Sequence, residues 1–227
     1  MLSVELHTHS ALSHDGRDPV DALLARAADV GLDGLAVTDH DAIEASLDAA
    51  ARAEEYGLLG IPGMEVSSAA GHVLALGVTE LVPAGLSFEE TLDRIHAQGG
   101  VAVVPHPFQN SRHGVASRVD RDALATADAI EVYNSRLLTG IANYRARRFA
   151  AMRDLPMTAG SDAHIAEMVG QAVTDVAASE RTVEAVLGAV REGRTSVTGS
   201  RTPWRVSVRQ AAGGARRRLA SRLADLF

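Results

Sequence analysis

Five short apolar runs in this chain each lead into histidine, aspartate or glutamate, and that recurrence restricts the fold more than any other feature. Residues 4–6 lead into His7-Thr8-His9, residues 34–38 into Asp39-His40-Asp41 and residues 58–64 into Glu65. Residues 101–104 lead into Pro105-His106-Pro107, and residues 156–159 into Gly160-Ser161-Asp162-Ala163-His164. Such runs suit strands of a parallel sheet buried on both faces. Apolar residues at helical spacing fill the intervals, as in residues 20–30, 43–56, 87–97, 144–153 and 182–192. Asp18-Pro19 opens the first of these helices, with Asp18 expected as its N-cap. Strand–helix alternation with short connections predicts an α/β fold, a parallel sheet covered by helices whose strand ends share one mouth. No Gly-x-Gly-x-x-Gly fingerprint is present, so a closed barrel of seven such units is favoured over a doubly wound dinucleotide fold.

Composition narrows the chemistry. With 227 residues and 46% apolar content the chain suits one sizeable domain, here residues 1–200, followed by a tail over residues 201–227. There are no cysteines, which excludes disulfides and thiolate metal ligands, and all 22 basic residues are arginine. Without lysine there is no P-loop lysine and no Schiff base, so recognition of anions falls to arginine, metals or backbone N–H groups. Net charge is −7, although residues 201–227 carry seven arginines against one aspartate. An acidic body argues against broad nucleic-acid binding. Met1 passes straight into a strand-like segment and no run of about 18 apolar residues occurs. A transmembrane helix is therefore not expected, and a cytoplasmic location is the default.

Residues two apart on an extended segment point the same way, so His7 and His9 can present two imidazoles to one point. Imidazoles converging beside carboxylates are what a divalent transition metal requires. The strand ends thus nominate His7, His9, His40, Glu65, His106, Asp162 and His164, with Asp15 before Gly16 a better candidate than His14. His72 begins its strand and reaches the same mouth only if that strand is antiparallel, which a hairpin turn over residues 67–71 permits. His96, inside a helix, reads as a surface or packing residue. Asp39 and Asp41 flank His40 as partners that orient imidazoles, or, for Asp41, as a helix cap.

The motifs His-Thr-His-Ser at 7–10, Ser-His-Asp-Gly at 13–16, Thr-Asp-His-Asp at 38–41, Met-Glu-Val at 64–66, Pro-His-Pro at 105–107 and Ser-Asp-Ala-His at 161–164 resemble those of the PHP (polymerase and histidinol phosphatase) family. The resemblance covers about residues 1–200. It implies a distorted seven-stranded (β/α) TIM-like barrel with two or three divalent metals at one mouth. It also implies a ligand partition: His7, His9, Glu65 and Asp162 around one metal, Glu65 bridging to a second held by His72 and His106, and Asp15, His40 and His164 around a third.

Nitrogen and oxygen ligands without sulfur suit Zn, Mn or Fe. Two metals sharing a carboxylate can bridge a water and lower its pKa, and the resulting hydroxide attacks phosphorus in line. The expected activity is a metal-dependent phosphoesterase acting on a phosphate monoester or small nucleotide-type substrate. The alternatives are a nuclease-like phosphodiesterase on short oligonucleotides and a metal-bound regulatory module without turnover. Arg136 and Asn134 at one strand end, with Arg112 and His113 in the loop after His106, are the expected substrate-binding residues. Only residues 66–71 separate Glu65 from His72, which leaves no room for an inserted lid, so the mouth should be open. Leu219, Leu223 and Phe227 beside Arg216–Arg218 predict an amphipathic basic tail helix that packs on the barrel, on a dimer partner or on an acidic surface.

Overall fold

The computed structural model describes residues 1–136, 140–201 and 206. Its strands are β1 (Leu2–Glu5), β2 (Gly34–Ala36), β3 (Leu59–Ile61), β4 (Gly63–Ser68), β5 (Gly71–Leu76), β6 (Val101–Val104), β7 (Ala129–Asn134), β8 (Met157–Gly160), β9 (Ala172–Val176) and β10 (Thr195–Gly199). The α-helices are α1 (Val20–Asp29), α2 (Glu44–Arg52), α3 (Phe88–Ala97), α4 (Arg121–Leu124), α5 (Ile141–Met152) and α6 (Val183–Arg191). None of them is long and apolar enough to cross a membrane. The tail helix expected from the sequence lies outside the described residues.

The expected closed seven-stranded barrel is not what forms. The strands make two mixed five-stranded sheets, ordered β10-β9-β1-β2-β3 and β4-β5-β6-β7-β8. The chain reads as one strand over 58–64, but Pro62 has no N–H to give a ladder, so β3 and β4 separate there and join different sheets. Reversals add to the departure. β4 pairs antiparallel with β5, β5 antiparallel with β6, and β9 antiparallel with both β1 and β10. Between β8 and β9 a side chain stands in for a ladder: the Thr174 hydroxyl accepts from Ala159 N and donates to Ala159 O. The sheets touch at two isolated parallel bridges, Thr8 with Ala163 and His40 with Glu65. Both bridges contain residues nominated above as ligands or their neighbours.

Three apolar clusters hold this arrangement. Leu23, Leu24 and Ala27 of α1 and Ala45 and Ala49 of α2 pack on Leu35 and Val37. Phe88, Leu92 and Ile95 of α3 and Phe149 of α5 cover Met64, Val66, Val104 and Ile130 on the other sheet. A third cluster draws Val4, Ala36 and Ile61 from one sheet together with Leu74, Leu76, Val101 and Val103 from the other, closed by Val186, Leu187 and Val190 of α6. Each fully buried aliphatic side chain contributes about 1.5–3 kcal/mol, so the shared cluster is a strong tie between the sheets. Side chains cap three of the six described helices, α3, α4 and α6, and not α1, α2 or α5. Ser87 and Glu90 form a reciprocal capping box on α3, whereas α1 begins after Pro19 without a side-chain cap. Asp18 instead accepts from Ala166 N and fastens the first loop to the chain beyond β8.

Candidate metal centre

The segment after β1 stays extended because it is bonded on both sides: Thr38 N donates to Thr8 O, and His9 N to Ala163 O. His7 and His9 therefore share a side, with ring centroids 5.2 Å apart. Gly16 lets the following loop fold back on this segment, since a Cβ there would stand 1.9 Å from Ser10 O. The fold-back brings Asp15 Oδ2 to 2.5 Å from His164 Nε2 and 3.6 Å from His40 Nε2.

Glu65 is the hub. It lies within β4 rather than at a strand end, and its residue is 1% exposed. Its Oε2 stands 3.1 Å from His7 Nε2, 3.1 Å from His9 Nε2 and 3.6 Å from His40 Nδ1. Its Oε1 stands 2.8 Å from His72 Nδ1 and 3.5 Å from His106 Nε2. Five imidazoles thus face one carboxylate, three on one oxygen and two on the other. Asp162 lies opposite, with Oδ1 3.6 Å from His9 Nε2, 3.9 Å from His7 Nε2 and 3.2 Å from His164 Nδ1. His72 reaches this cluster because β5 is antiparallel: its side chain shares a face with Leu74 and Leu76, at the strand's beginning. His106 and Asp162 adopt left-handed φ of 32° and 52°, a conformation that costs non-glycine residues about 1–2 kcal/mol.

Electrostatics follow from burial among opposite charges. Burial opposes ionisation of Glu65, yet His7, His40 and His72 hold it well below the usual carboxylate range. Asp162 is likewise held low against burial, by Arg136, His164, His7 and Arg112. Burial, joined by repulsion from His164, pulls His9 down to about 4, whereas Glu65 and Asp15 outweigh burial and lift His40 to about 9. The donor set fits divalent metals on an independent observation. Buried His9 Nδ1 and Nε2, His40 Nδ1, His72 Nδ1, His106 Nδ1 and Glu65 Oε1 make no hydrogen bond, although several lie within 3.1 Å of a possible partner. Lone pairs buried at this density, off hydrogen-bond angles, are suited to a cation. Among the described residues, five triads, including His7–His9–Glu65, His9–Asp15–His40 and His40–Glu65–His72, have donor atoms within 4.8 Å of one another.

A cavity of about 390 Å³ opens onto this cluster, lined by His14, Asp15, His40, Glu65, His72, His106, Arg112, His113, Arg136 and Asp162 among others. Arg112 and Arg136 both donate to Asp162, at 2.8 and 3.0 Å, and Arg136 Nη1 is also 2.8 Å from His164 Nε2. His113 lies at the rim, its ring stacked on His72 at 5.1 Å and its carbonyl accepting from His72 N. Asn134 does not line the cavity: it is 1% exposed and its amide donates to Glu131 at 3.0 Å. His96 sits away from the centre, paired with Asp128. Asp39 bonds the Ser10 backbone and hydroxyl rather than an imidazole, and Asp41 accepts from Ser67 N rather than capping α2.

Two buried acids escaped the sequence reading. Glu131 Oε1 stands 2.9 Å from His7 Nδ1, and Glu5 accepts from Ser161 N at 2.9 Å. Burial pushes Glu5 up to about 7. The signal was present in both cases: a lone glutamate inside an otherwise apolar run, where an unpartnered charge is costly.

A family model described as PHP domain matches residues 5–79, and one described as PHP-associated matches residues 140–195. An uncharacterized protein of Methanocaldococcus jannaschii, MJ1587, is 30% identical over 169 residues, covering 70% of this chain and 96% of that protein. Among solved structures, a two-domain protein from Bacteroides vulgatus, titled as containing a predicted PHP-like metal-dependent phosphoesterase, superposes with a TM-score of 0.74 at 22% identity. The match covers 88% of this chain and 65% of that one. The lesion-specific endonuclease PfuEndoQ from Pyrococcus furiosus shares the fold at TM-score 0.61 and 16% identity, over 86% of this chain and 57% of its own.

Proposed function

Because the chain belongs to the PHP family of metal-dependent phosphoesterases, we propose that it hydrolyses a phosphate monoester or small nucleotide-type ester at the Glu65 cluster. The observation that carries this reading is the single buried carboxylate faced by five imidazoles, an arrangement made for a bridging ligand. His7, His9, Glu65 and Asp162 would hold one divalent ion, Glu65, His72 and His106 a second, and Asp15, His40 and His164 a third, drawn from Zn, Mn or Fe. When bound, these ions supply an acidified water and positive charge against the phosphoryl oxygens. The protein's own groups do the rest. Arg112 and Arg136 line the cavity and present guanidinium N–H groups, the planar donors suited to a phosphate. His113 lines the same cavity and would stand within reach of a bound ester.

A nuclease-like action on short oligonucleotides is the second reading. It is favoured by the short connection over residues 66–71, which leaves no space for a lid between Glu65 and His72, and by the shared fold of an endonuclease. Purified protein loaded with Mn or Zn is assayed on p-nitrophenyl phosphate, bis-p-nitrophenyl phosphate and a short oligonucleotide, with metal counted by elemental analysis. Turnover that disappears with chelation supports the proposal. Absence of both metal and turnover refutes it.

A further inference from the structure

We propose that Glu131 is a positioning residue that sets the tautomer of His7 and joins it to His106, so that metal held by His7 Nε2 depends on Glu131; this rests on the metal-centre reading above. Glu131 is 1% exposed in the middle of β7, where a carboxylate is tolerated only with full pairing. Its pairing spans three elements. Oε1 stands 2.9 Å from His7 Nδ1, while Oε2 accepts from His106 N at 2.9 Å and from Asn134 Nδ2 at 3.0 Å. One carboxylate thus grips the ring of one proposed ligand and the backbone of another.

Two local departures from regular structure serve that grip. Residues three apart on a regular strand point to opposite faces, yet Glu131 and Asn134 bond each other through their side chains. The register of β7 against β8 shifts between Glu131 and Tyr133, and that bulge brings both to one side. Opposite Asn134 stands Gly160, where a Cβ would come within 2.5 Å of both Glu131 Oε1 and His7 Cβ. Only glycine leaves the pair its space.

The chemistry follows from the two imidazole nitrogens. With its hydrogen on Nδ1, donated to Glu131, His7 keeps a lone pair on Nε2, the atom 3.1 Å from Glu65. Glu131→Gln keeps the shape but cannot keep the pattern. If its oxygen faces His7, its NH₂ meets the donors of His106 and Asn134. If it is turned, its NH₂ forces the hydrogen onto His7 Nε2 and closes that atom to metal.

The test uses the full chain. Cobalt(II) titration by absorbance and calorimetry should show E131Q binding at least one equivalent about 10- to 100-fold more weakly than wild type, with unchanged far-ultraviolet circular dichroism. In zinc-loaded wild type, imidazole ¹⁵N–¹H correlation spectra should place the His7 proton on Nδ1. Equal affinities with His7 unchanged in E131Q would overturn the role of Glu131 alone. Wild type that takes up no metal would overturn the metal-centre reading and this inference with it. Should E131Q fail to fold, the wild-type spectrum decides: a His7 proton on Nε2 rejects the assignment.

Discussion

Asp15→Asn tests whether the metal position proposed at Asp15 is separate from the others. Asp15 comes from a loop and its side chain is 31% exposed, whereas the Glu65 side chain is 1% exposed at the hub. Asn preserves shape and can still accept from the Ser13 hydroxyl, now 2.9 Å away. What disappears is the charge, and Asp15 is the sole carboxylate in the triad His9–Asp15–His40. Glu65 and Asp162 remain for His7, His9, His72 and His106. Loss of a group that merely orients a metal ligand costs about 10- to 100-fold in affinity. Loss of a directly placed anion should reach the upper end, about 100-fold or roughly 2.8 kcal/mol at 1.4 kcal/mol per tenfold. The assay is equilibrium loading with Zn or Mn, gel filtration at micromolar metal, and elemental analysis per chain. Wild type should retain one equivalent more than D15N, with the remaining affinities within about threefold of wild type by calorimetry. Equal stoichiometry would refute the assignment of Asp15, and simultaneous loss of all metal would refute a divided centre.

Other outcomes follow from the same geometry. Arg136→Ala should raise KM for a phosphate ester and lower kcat/KM by about 10- to 100-fold, because a charge-assisted hydrogen bond contributes about 1.5–3 kcal/mol; unchanged kinetics would remove Arg136 from substrate binding. In chelated protein, His40 is raised from 6.5 to about 9, so its contribution to stability is full below pH 6.5 and is lost as pH rises through about 9. Thermal melts of chelated wild type should therefore fall between pH 7 and 10 more steeply than those of His40→Ala, and parallel curves would reject that. Gly16→Ala should destabilise by about 3 kcal/mol, since its Cβ meets the Ser10 carbonyl, which is backbone and cannot rotate away. Urea unfolding within 0.5 kcal/mol of wild type would show that the loop is not built around that contact.

Strand positions and most helices were legible because apolar runs of four or five residues between amphipathic segments leave few alternatives. Closure was not. Alternation of strand and helix describes how elements follow one another, whereas the outcome turned on Pro62 breaking a ladder and on Thr174 replacing one with its hydroxyl. The polar strand ends were readable as a converging set for the same reason that parallel strands share a mouth. The apolar run places Glu65 at a strand terminus, whereas it lies inside β4, and local sequence leaves the direction of β5, which carries His72, open. Asn134 went the other way. Its place at a strand end points toward substrate, but the bulge in β7 turns its amide onto Glu131 and Asp162. A one-residue register shift reverses which face a side chain occupies, and nothing in the local sequence of β7 announces it.

The charge arrangement also bears on how such a centre folds before it is loaded. Glu65 and Asp162 are 1% and 3% exposed, and isolated buried carboxylates would be prohibitively costly. Each has its own compensation. Imidazoles surround Glu65, and two arginines hold Asp162 through separate oxygens. The chain can therefore assemble both sheets around a protonated, arginine-clamped centre without metal. Metal loading would then displace protons from His7 and His40, which neighbouring carboxylates hold above the usual imidazole range, and move positive charge away from Asp162. The guanidiniums of Arg112 and Arg136 already line the cavity, so under the proposed function the groups freed by that exchange would be available to an incoming phosphate. On that proposal one pair of arginines would serve the empty centre as counter-charge and the loaded centre as substrate grip, a dual role consistent with two cations directed at Asp162.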